Sequence, residues 1–182
     1  SRLVPAHGLL LTERGTRNPS LAALDPRTGN TYWSRSNGER RWIPLAADDE
    51  AFYARLEGDD EERPDELHAL DPATGDTRWS TPRASPRAAT VRSGTVYCST
   101  GRPDAQELLA FDGQDQEVRW NETHDLQFEQ DDGSGLNAEQ NVAAVTDDLL
   151  MLHYDFHGAM HDRIEARDVD TGDTRWTVQE IG

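Results

Sequence analysis

Three histidines spaced four residues apart form the pattern best suited to metal chemistry. They are His153, His157 and His161 in the segment HYDFHGAMHD, and Asp155 lies between the first two. Neutral imidazole nitrogens bind transition metals, and a nearby carboxylate can be a further ligand or can orient an imidazole. The spacing places all three rings on one face only in a helical turn, which Gly158 disfavours. This segment is a candidate metal site, and polar loop residues are the alternative.

Two other polar segments are candidates for function because of their composition or length. The acidic segment Glu57–Glu66 can hold a hard cation through its carboxylates, but it lacks the alternating spacing of a calcium loop, which favours a solvated loop. The segment Asn121–Asn141 is the longest insertion and includes His124, Asp125 and a Gly-Ser-Gly stretch. Long loops on a rigid scaffold often carry function, and they also tolerate insertion without consequence.

A basic patch and a lone cysteine complete the candidate residues. Arg35, Arg40 and Arg41 lie near Trp42, whose ring can stack on a guanidinium. They can dock a carboxylate, although pairing with the protein's own carboxylates is favoured. Cys98 lies in a strand pattern and is predicted to be a small buried hydrophobe rather than a nucleophile.

Four copies of one 13-residue pattern position these segments. The copies are LAALDPRTGNTYW at 21–33, LHALDPATGDTRW at 67–79, LLAFDGQDQEVRW at 108–120 and IEARDVDTGDTRW at 164–176. An Asp precedes a Trp by eight residues in every copy, and successive Trp residues are 46, 41 and 56 residues apart. The residues of the repeat are Asp25, Gly29, Trp33, Asp71, Gly75, Trp79, Asp112, Trp120, Asp168, Gly172 and Trp176.

Each copy predicts a β-hairpin, since a short apolar run leads into Asp, Thr and Gly turn residues and then into β-forming residues. A second hairpin pattern precedes each copy, so the chain is predicted to contain four four-stranded antiparallel units, at about 1–35, 36–81, 82–122 and 137–178. One such unit cannot bury both faces alone. Stacked units with this period predict a single all-β domain, a β-propeller of four-stranded blades.

The pattern Ala-x-Asp-x-x-Thr-Gly-x-x-x-Trp resembles the tryptophan-docking repeat of PQQ-like β-propellers. That family includes quinoprotein alcohol dehydrogenases and non-enzymatic assembly lipoproteins of the outer membrane. The resemblance implies that the repeat Trp residues pack between adjacent blades and that the complete ring has seven or eight blades. The third copy has Asp115 and Gln116 in place of Thr-Gly, so its turn is expected to be of another type.

Four blades are half of such a ring, and three arrangements remain open. The chain is part of a longer propeller, which is favoured, or two copies complete a ring as a homodimer, or the chain closes as a four-bladed ring. Strand alternation places the B–C loops and the connections between blades on one side, which is the expected face for a protein or small-molecule partner.

The formal net charge is −17, and all 18 basic residues are Arg. Dispersed acidity without a basic run excludes nucleic acid and anionic membrane as expected partners. It also resembles the proteins of salt-loving archaea, so a high-salt environment is predicted, at the cell surface or in the cytoplasm. No apolar run is long enough to span a membrane.

The favoured interpretation is a non-enzymatic PQQ-like propeller that acts as a binding or assembly scaffold. No catalytic constellation and no cofactor-binding residues are identified. Two alternatives remain: a PQQ-dependent alcohol dehydrogenase, in which PQQ is the cofactor, and a protein that binds a divalent metal through the three histidines. The paired cysteines of the best-known PQQ dehydrogenases are missing from this sequence.

Overall fold

The computed structural model describes residues 2–58, 64–82, 88–102, 105–124, 127–129, 135–156 and 162–179. Every regular element within these ranges is a β-strand, and the strands form four antiparallel sheets. The prediction of an all-β chain built from four-stranded antiparallel units is therefore confirmed. The chain divides into an N-terminal unit, Ser1–Pro86, and a C-terminal unit, Arg87–Gly182, with two sheets in each.

Each sheet is a meander, because every strand pairs with the next strand along the chain. Sheet 1 consists of β1 (Leu3–Ala6), β2 (Leu9–Arg14), β3 (Ser20–Leu24) and β4 (Thr31–Ser36). Sheet 2 consists of β5 (Trp42–Ala47), β6 (Phe52–Leu56), β7 (Glu66–Leu70) and β8 (Thr77–Thr81). Both belong to the N-terminal unit.

The C-terminal unit repeats this arrangement with one additional strand. Sheet 3 consists of β9 (Ala88–Arg92), β10 (Thr95–Arg102), β11 (Ala105–Asp112) and β12 (Val118–His124). Sheet 4 consists of β13 (Gln127–Glu129), β14 (Gly135–Val145), β15 (Leu149–Phe156), β16 (Asp162–Asp168) and β17 (Thr174–Gln179).

The additional strand corrects the expectation that 121–141 is a loop. Strand β12 continues to His124, and Phe128 of β13 pairs with Leu136 of β14. Residues 127–129 and 135–139 alternate polar or small residues with apolar ones, as in Gln127-Phe128-Glu129, and this alternation is typical of a strand. The insertion thus widens sheet 4, and its residues 125–126 and 130–134 lie outside the described part.

The core of each unit lies between the facing sides of its two sheets. Successive side chains of a strand point to opposite faces, so one alternate set from each sheet meets the other. The core of the N-terminal unit contains Val4, Leu11, Leu21, Ala23, Trp42, Phe52, Ala54, Leu56 and Leu70. The core of the C-terminal unit contains Ala88, Tyr97, Leu108, Ala110, Val142, Leu150, Leu152, Tyr154 and Val169.

Candidate functional site

Trp33 joins the two sheets of the N-terminal unit. It lies on β4 of sheet 1, and its indole N–H donates a hydrogen bond of 2.8 Å to the carbonyl of Pro72 in the β7–β8 turn of sheet 2. Its ring covers Gly75, where a Cβ atom would come within 2.6 Å of Trp33 Cε3. Its ring centroid is 6.4 Å from that of Phe52, in an edge arrangement. A side chain at position 75 would therefore prevent this packing.

Trp120 makes the equivalent contact in the C-terminal unit. Its indole N–H donates to the carbonyl of Val169 at 2.9 Å, and a Cβ atom at Gly172 would lie 3.0 Å from Trp120 Cε3. In both units the Trp of the first sheet thus covers the buried turn glycine of the second sheet. We call this arrangement a tryptophan junction, made of the Trp and the turn it covers.

An arginine satisfies the carbonyl of the covered glycine in both junctions. Arg35, two residues after Trp33, donates to the carbonyl of Gly75 at 2.6 Å and to Oγ1 of Thr77 at 3.0 Å. In the C-terminal unit the donor is Arg167, which contacts the Gly172 carbonyl at 2.9 Å from β16 of the receiving sheet. The glycine carbonyl thus accepts from an arginine in both units. The arginine lies on the sheet that carries the Trp in the N-terminal unit and on the sheet that receives it in the C-terminal unit.

The turns that receive a Trp are built by the repeat Asp residues. The carboxylate of Asp71 accepts hydrogen bonds from the backbone N–H groups of Ala73 (2.8 Å) and Thr74 (3.1 Å). The Gly75 N–H donates to the Asp71 carbonyl at 2.8 Å. Asp25 and Asp168 make the same contacts with their own turns. The repeat Asp therefore acts as a structural residue in the turn.

The third turn corrects the expectation that it differs in type. Asp112 accepts from the N–H of Gln114 at 2.8 Å, and the Gln116 N–H donates to the Asp112 carbonyl at 3.0 Å. Asp115 accepts from the N–H of Glu117 at 2.9 Å, as the Thr hydroxyl does elsewhere. Gln116 has a φ of 63°, the conformation that glycine has in the other copies. The Asp115 carboxylate and the left-handed backbone conformation of Gln116 thus preserve the same turn.

In three of the four turns, the repeat Asp forms an ion pair with the Arg seven residues later. Arg78 contacts Asp71 and Arg119 contacts Asp112, each at 3.0 Å, and Arg175 contacts Asp168. The Arg175 hydrogen bond, with two backbone N–H donors, lowers the pKa of Asp168 to about 2. Tyr32, in the first copy, stands where the others have Arg.

Charged side chains cross-link the loop side of the N-terminal unit. Arg41 contacts Glu13 at 2.8 Å and Glu57 at 3.8 Å, which joins the sheet 1–sheet 2 connection to the end of β2 and to the start of the β6–β7 loop. Arg40 contacts Glu66 at 3.2 Å and the carbonyl of Glu57 at 2.7 Å. The predicted pairing with the protein's own carboxylates is confirmed for Arg40 and Arg41, whereas Arg35 of the same patch donates to Gly75 and Thr77.

His68 lies buried beside this network. Its ring centroid is 4.8 Å from that of Trp42, and the Arg35 guanidinium lies 4.5 Å from the Trp42 ring, so the predicted stacking is confirmed. Burial lowers the pKa of His68 to about 4, because it disfavours the imidazolium more than Glu66 stabilises it. The imidazole is therefore neutral near pH 7.

A row of charges occupies the corresponding strand of the C-terminal unit. Arg163, Glu165 and Arg167 alternate along β16 and share one face. Glu165 is buried and contacts Arg163 at 2.7 Å and Arg167 at 2.6 Å. Arg167 also contacts Glu122 of β12, and burial lowers its pKa. Sequence reasoning missed this row, although the period-two alternation in Arg-Ile-Glu-Ala-Arg was a usable signal.

Two of the four predicted metal ligands lie on a strand. His153 and Asp155 lie on β15, two residues apart and on the same face, so the helical turn needed for the four-residue spacing does not include them. His157 and His161 lie outside the described residues. Among the residues described, no three His, Cys, Asp or Glu side chains are grouped so that they could hold a metal ion.

Two further observations concern the other candidates. Cys98 is fully buried, and burial raises its pKa to about 12, which confirms the prediction of an inert thiol. In the acidic segment, Arg55 contacts Glu57 at 3.2 Å and Asp65 at 3.6 Å. These two carboxylates are therefore occupied in ion pairs within the chain.

The family model described as outer membrane protein assembly factor BamB matches residues 17–180. The chain belongs to this family. The match includes all four repeats with their Asp and Trp residues. No curated protein sequence matches the chain significantly. No helix among the residues described has the length and apolar character needed to cross a bilayer.

Solved structures of other proteins share the fold of this chain. BamB from Moraxella catarrhalis superposes with a TM-score of 0.64 at 16% identity, over 97% of this chain and 47% of that one. A quinohemoprotein alcohol dehydrogenase from Comamonas testosteroni gives 0.63 at 18% identity, over 98% and 34%. The glutaminyl cyclase of Myxococcus xanthus gives 0.55 at 15% identity, over 96% and 68%. The chain spans about half of the BamB structure, and its sheets are β-propeller blades of the PQQ-like type.

Proposed function

We propose that this chain is a non-enzymatic binding or assembly scaffold whose partner is a protein. The observation that carries the proposal is the match of residues 17–180 to a family described as an assembly factor. The repeat residues support it, because Asp71, Asp112, Trp33 and Trp120 all take part in turns and sheet packing. They build the fold and leave partner binding to the loops.

The partner is expected on the loop side of the blades. In the N-terminal unit this side carries the β2–β3 loop (15–19), the β4–β5 connection (37–41) and the described ends of the β6–β7 loop. The ion pairs of Arg40 and Arg41 hold the β4–β5 connection to the end of β2 and to the two described ends of the β6–β7 loop, so this part of the surface is ordered before a partner arrives. Preorganisation lowers the entropy lost on binding.

The acidic surface adds a condition to the proposal, namely that the scaffold works in high salt. Thirty-five carboxylates against 18 arginines repel one another at low ionic strength, and molar salt screens that repulsion. The free energy of unfolding should therefore rise with KCl concentration from about 0.1 M to 1 M. A protein equally stable across this range would contradict the high-salt part of the proposal.

Photo-crosslinking from two matched positions tests the scaffold. A photoreactive amino acid replaces Asn18 on the loop side or Ala73 in the opposite β7–β8 turn, and both positions are exposed. We expect discrete protein adducts from position 18 and none from position 73 in cells that produce the protein. Equal labelling at both positions, or none, would argue against a partner on the loop side.

The enzyme alternative is separated by a direct assay. The purified chain is incubated with PQQ, calcium, a primary alcohol and an artificial electron acceptor. We expect no acceptor reduction above a sample lacking protein. Catalytic turnover would replace the scaffold proposal with the dehydrogenase alternative.

A further inference from the structure

The connection between sheets 1 and 2 has an asparagine–glycine pair at an exposed hairpin tip. Asn37 forms an antiparallel bridge with Arg40, and the Arg40 N–H donates to the Asn37 carbonyl at 3.3 Å. Asn37, Gly38 and Glu39 are all exposed. Gly38 is the first central residue of this two-residue turn and has a φ of 64°, which is where a type II′ turn needs glycine.

We propose that Asn37 is a site of spontaneous deamidation, and that its isoaspartate product loosens the connection between the two sheets. The backbone nitrogen of Gly38 attacks Cγ of Asn37. The N–H proton passes to the side-chain amide group, which leaves as ammonia, and a cyclic succinimide remains. Water then opens the succinimide at one of its two carbonyls. The reaction consumes one water molecule and releases one ammonia, so it needs no oxidant and no enzyme.

The bond that water breaks decides the product. If the bond between the nitrogen and Cγ breaks, the product is aspartate with the original backbone. If the bond between the nitrogen and the backbone carbonyl carbon breaks, the product is isoaspartate, in which the chain continues through Cβ and Cγ. Both products add one carboxylate to a chain whose formal charge is already −17.

Three features of the turn make the attacking nitrogen accessible. Gly38 has no Cβ, and nothing lies within 4 Å of the place that a Cβ would take. The hydrogen bond that closes the turn uses the N–H of Arg40 and not that of Gly38. The Asn37 side chain is exposed, so water reaches both the leaving amide and the succinimide. Approach of the nitrogen to Cγ therefore displaces no packed side chain.

Other exposed asparagines do not combine these features. Asn18 precedes Pro19, whose nitrogen carries no proton and cannot form the succinimide in this way. Asn30 precedes Thr31, whose branched Cβ crowds the nitrogen. Asn121 lies within strand β12 and precedes a glutamate. These asparagines are internal references, because they share the solvent and the age of the same sample.

Isoaspartate changes a segment that charged contacts hold in place. Arg40 contacts Glu66, and Arg41 contacts Glu13, in the same five-residue connection 37–41. Isoaspartate lengthens the turn by one backbone atom. The carbonyl that accepts from the Arg40 N–H becomes a carboxylate outside the chain, so the bridge that closes the turn is lost. Aspartate keeps this bridge and only adds charge. The proposal does not depend on the scaffold function.

The first test is incubation of the purified full chain at neutral pH in high salt. Samples taken over several weeks are digested, and mass spectrometry detects each amide that has become an acid. Electron-transfer fragmentation distinguishes isoaspartate from aspartate. We expect Asn37 to react at least about tenfold faster than Asn30 or Asn121, a difference of about 1.4 kcal/mol in activation free energy. The proposal is overturned if Asn37 reacts no faster than these references or gives no isoaspartate.

A substitution at the neighbouring residue tests the role of the glycine nitrogen. Gly38→Ala places a methyl group beside the attacking atom, and we expect about tenfold slower conversion of Asn37. Alanine is strained at positive φ, so the comparison is repeated in urea, where the turn is absent and the hindrance remains. Equal rates for Gly38→Ala and the unchanged chain in urea would exclude attack by this nitrogen.

Hydrogen exchange tests the loosening. The Glu57 N–H donates to the Arg41 carbonyl at 2.8 Å, so exchange of this amide reports whether the connection stays in place. We expect the isoaspartate form to exchange at least about tenfold faster here than the fresh chain. A fresh Asn37→Asp chain is the matched control, because it has the added charge without the longer backbone, and it should exchange like the unchanged chain. No acceleration in the isoaspartate form, or equal acceleration in both, would overturn the loosening.

Discussion

The two units use the same junction but stabilise it with different chemistry. In the N-terminal unit Arg35 comes from the strand that carries the Trp, is half-buried, and stacks on Trp42 beside the neutral His68. In the C-terminal unit Arg167 comes from the receiving strand and lies between the carboxylates of Glu165 and Glu122. One junction therefore relies on stacking and a neutral ring, and the other on a buried ion network.

This difference shows which features of the junction are essential. Both junctions keep the Trp, the glycine beneath it, the backbone carbonyl that accepts the indole proton and an arginine at the glycine carbonyl. The origin of the arginine and the charge of its neighbours vary. Packing under the Trp is thus the fixed requirement, and the polar groups around it only need to satisfy one another.

The largest effect expected to separate the units comes from their arginines. Replacing Arg167 by Met breaks its buried ion pair with Glu165 and leaves Arg163 in contact with this carboxylate, so we expect a loss of about 3 kcal/mol in the free energy of unfolding, at the lower end of the range for broken buried pairs. Arg35→Met should lose about 1–2 kcal/mol, because one of the two hydrogen bonds it removes is only partly buried and the other is exposed. Denaturant unfolding in high salt measures both. Equal losses would show that the two junctions depend on their arginines to the same degree.

Glycine substitutions test the packing shared by the two junctions. A methyl group at Gly75 would lie 2.6 Å from the Trp33 ring, and at Gly172 it would lie 3.0 Å from the Trp120 ring. Gly29→Ala is the matched control, since its positive φ is strained by alanine to the same degree but no atom lies nearby. We expect Gly75→Ala to lose about 2 kcal/mol more than the control and Gly172→Ala about 1 kcal/mol more.

Thermal or denaturant unfolding of the three glycine variants measures these losses. If all three variants lose the same amount, backbone strain alone accounts for the losses, and the ring contact does not limit the side chain at the turn.

The repeat predicted the sheets well because its residues act locally. An Asp that caps its own turn and a Gly with positive φ mark a hairpin without reference to the rest of the chain. The third turn was predicted wrongly for the same reason. Asp115 and Gln116 do not look like Thr and Gly in sequence, yet they provide the same acceptor and the same backbone conformation.

Contacts between sheets were harder to predict from the sequence. Arg35 donates to the carbonyl of Gly75, which lies 40 residues further along the chain in the other sheet, so this contact depends on how the two sheets approach. Arg167 donates to the carbonyl of Gly172 within its own sheet. The predicted metal site shows that residue spacing alone can indicate the wrong secondary structure. A four-residue spacing of histidines indicates a helix, whereas β15 includes His153 and Asp155 in a strand.

The last effect is confined to acidic pH and concerns the neutral His68, which the C-terminal unit replaces with Glu165. The folded pKa of about 4 lies below the unfolded value of about 6.5. The unfolded chain therefore binds a proton that the folded chain does not, and stability falls as pH decreases from about 6.5 to 4. Allowing for partial screening by Glu66 and solvent, we expect His68→Gln to remove roughly 1–2 kcal/mol of this loss.

Denaturant unfolding at closely spaced pH values measures the slope of stability against pH. The carboxylate-dependent loss below pH 4 should be the same in both proteins, and an unchanged slope between pH 6.5 and 4 would mean that the buried histidine does not distinguish the two junctions.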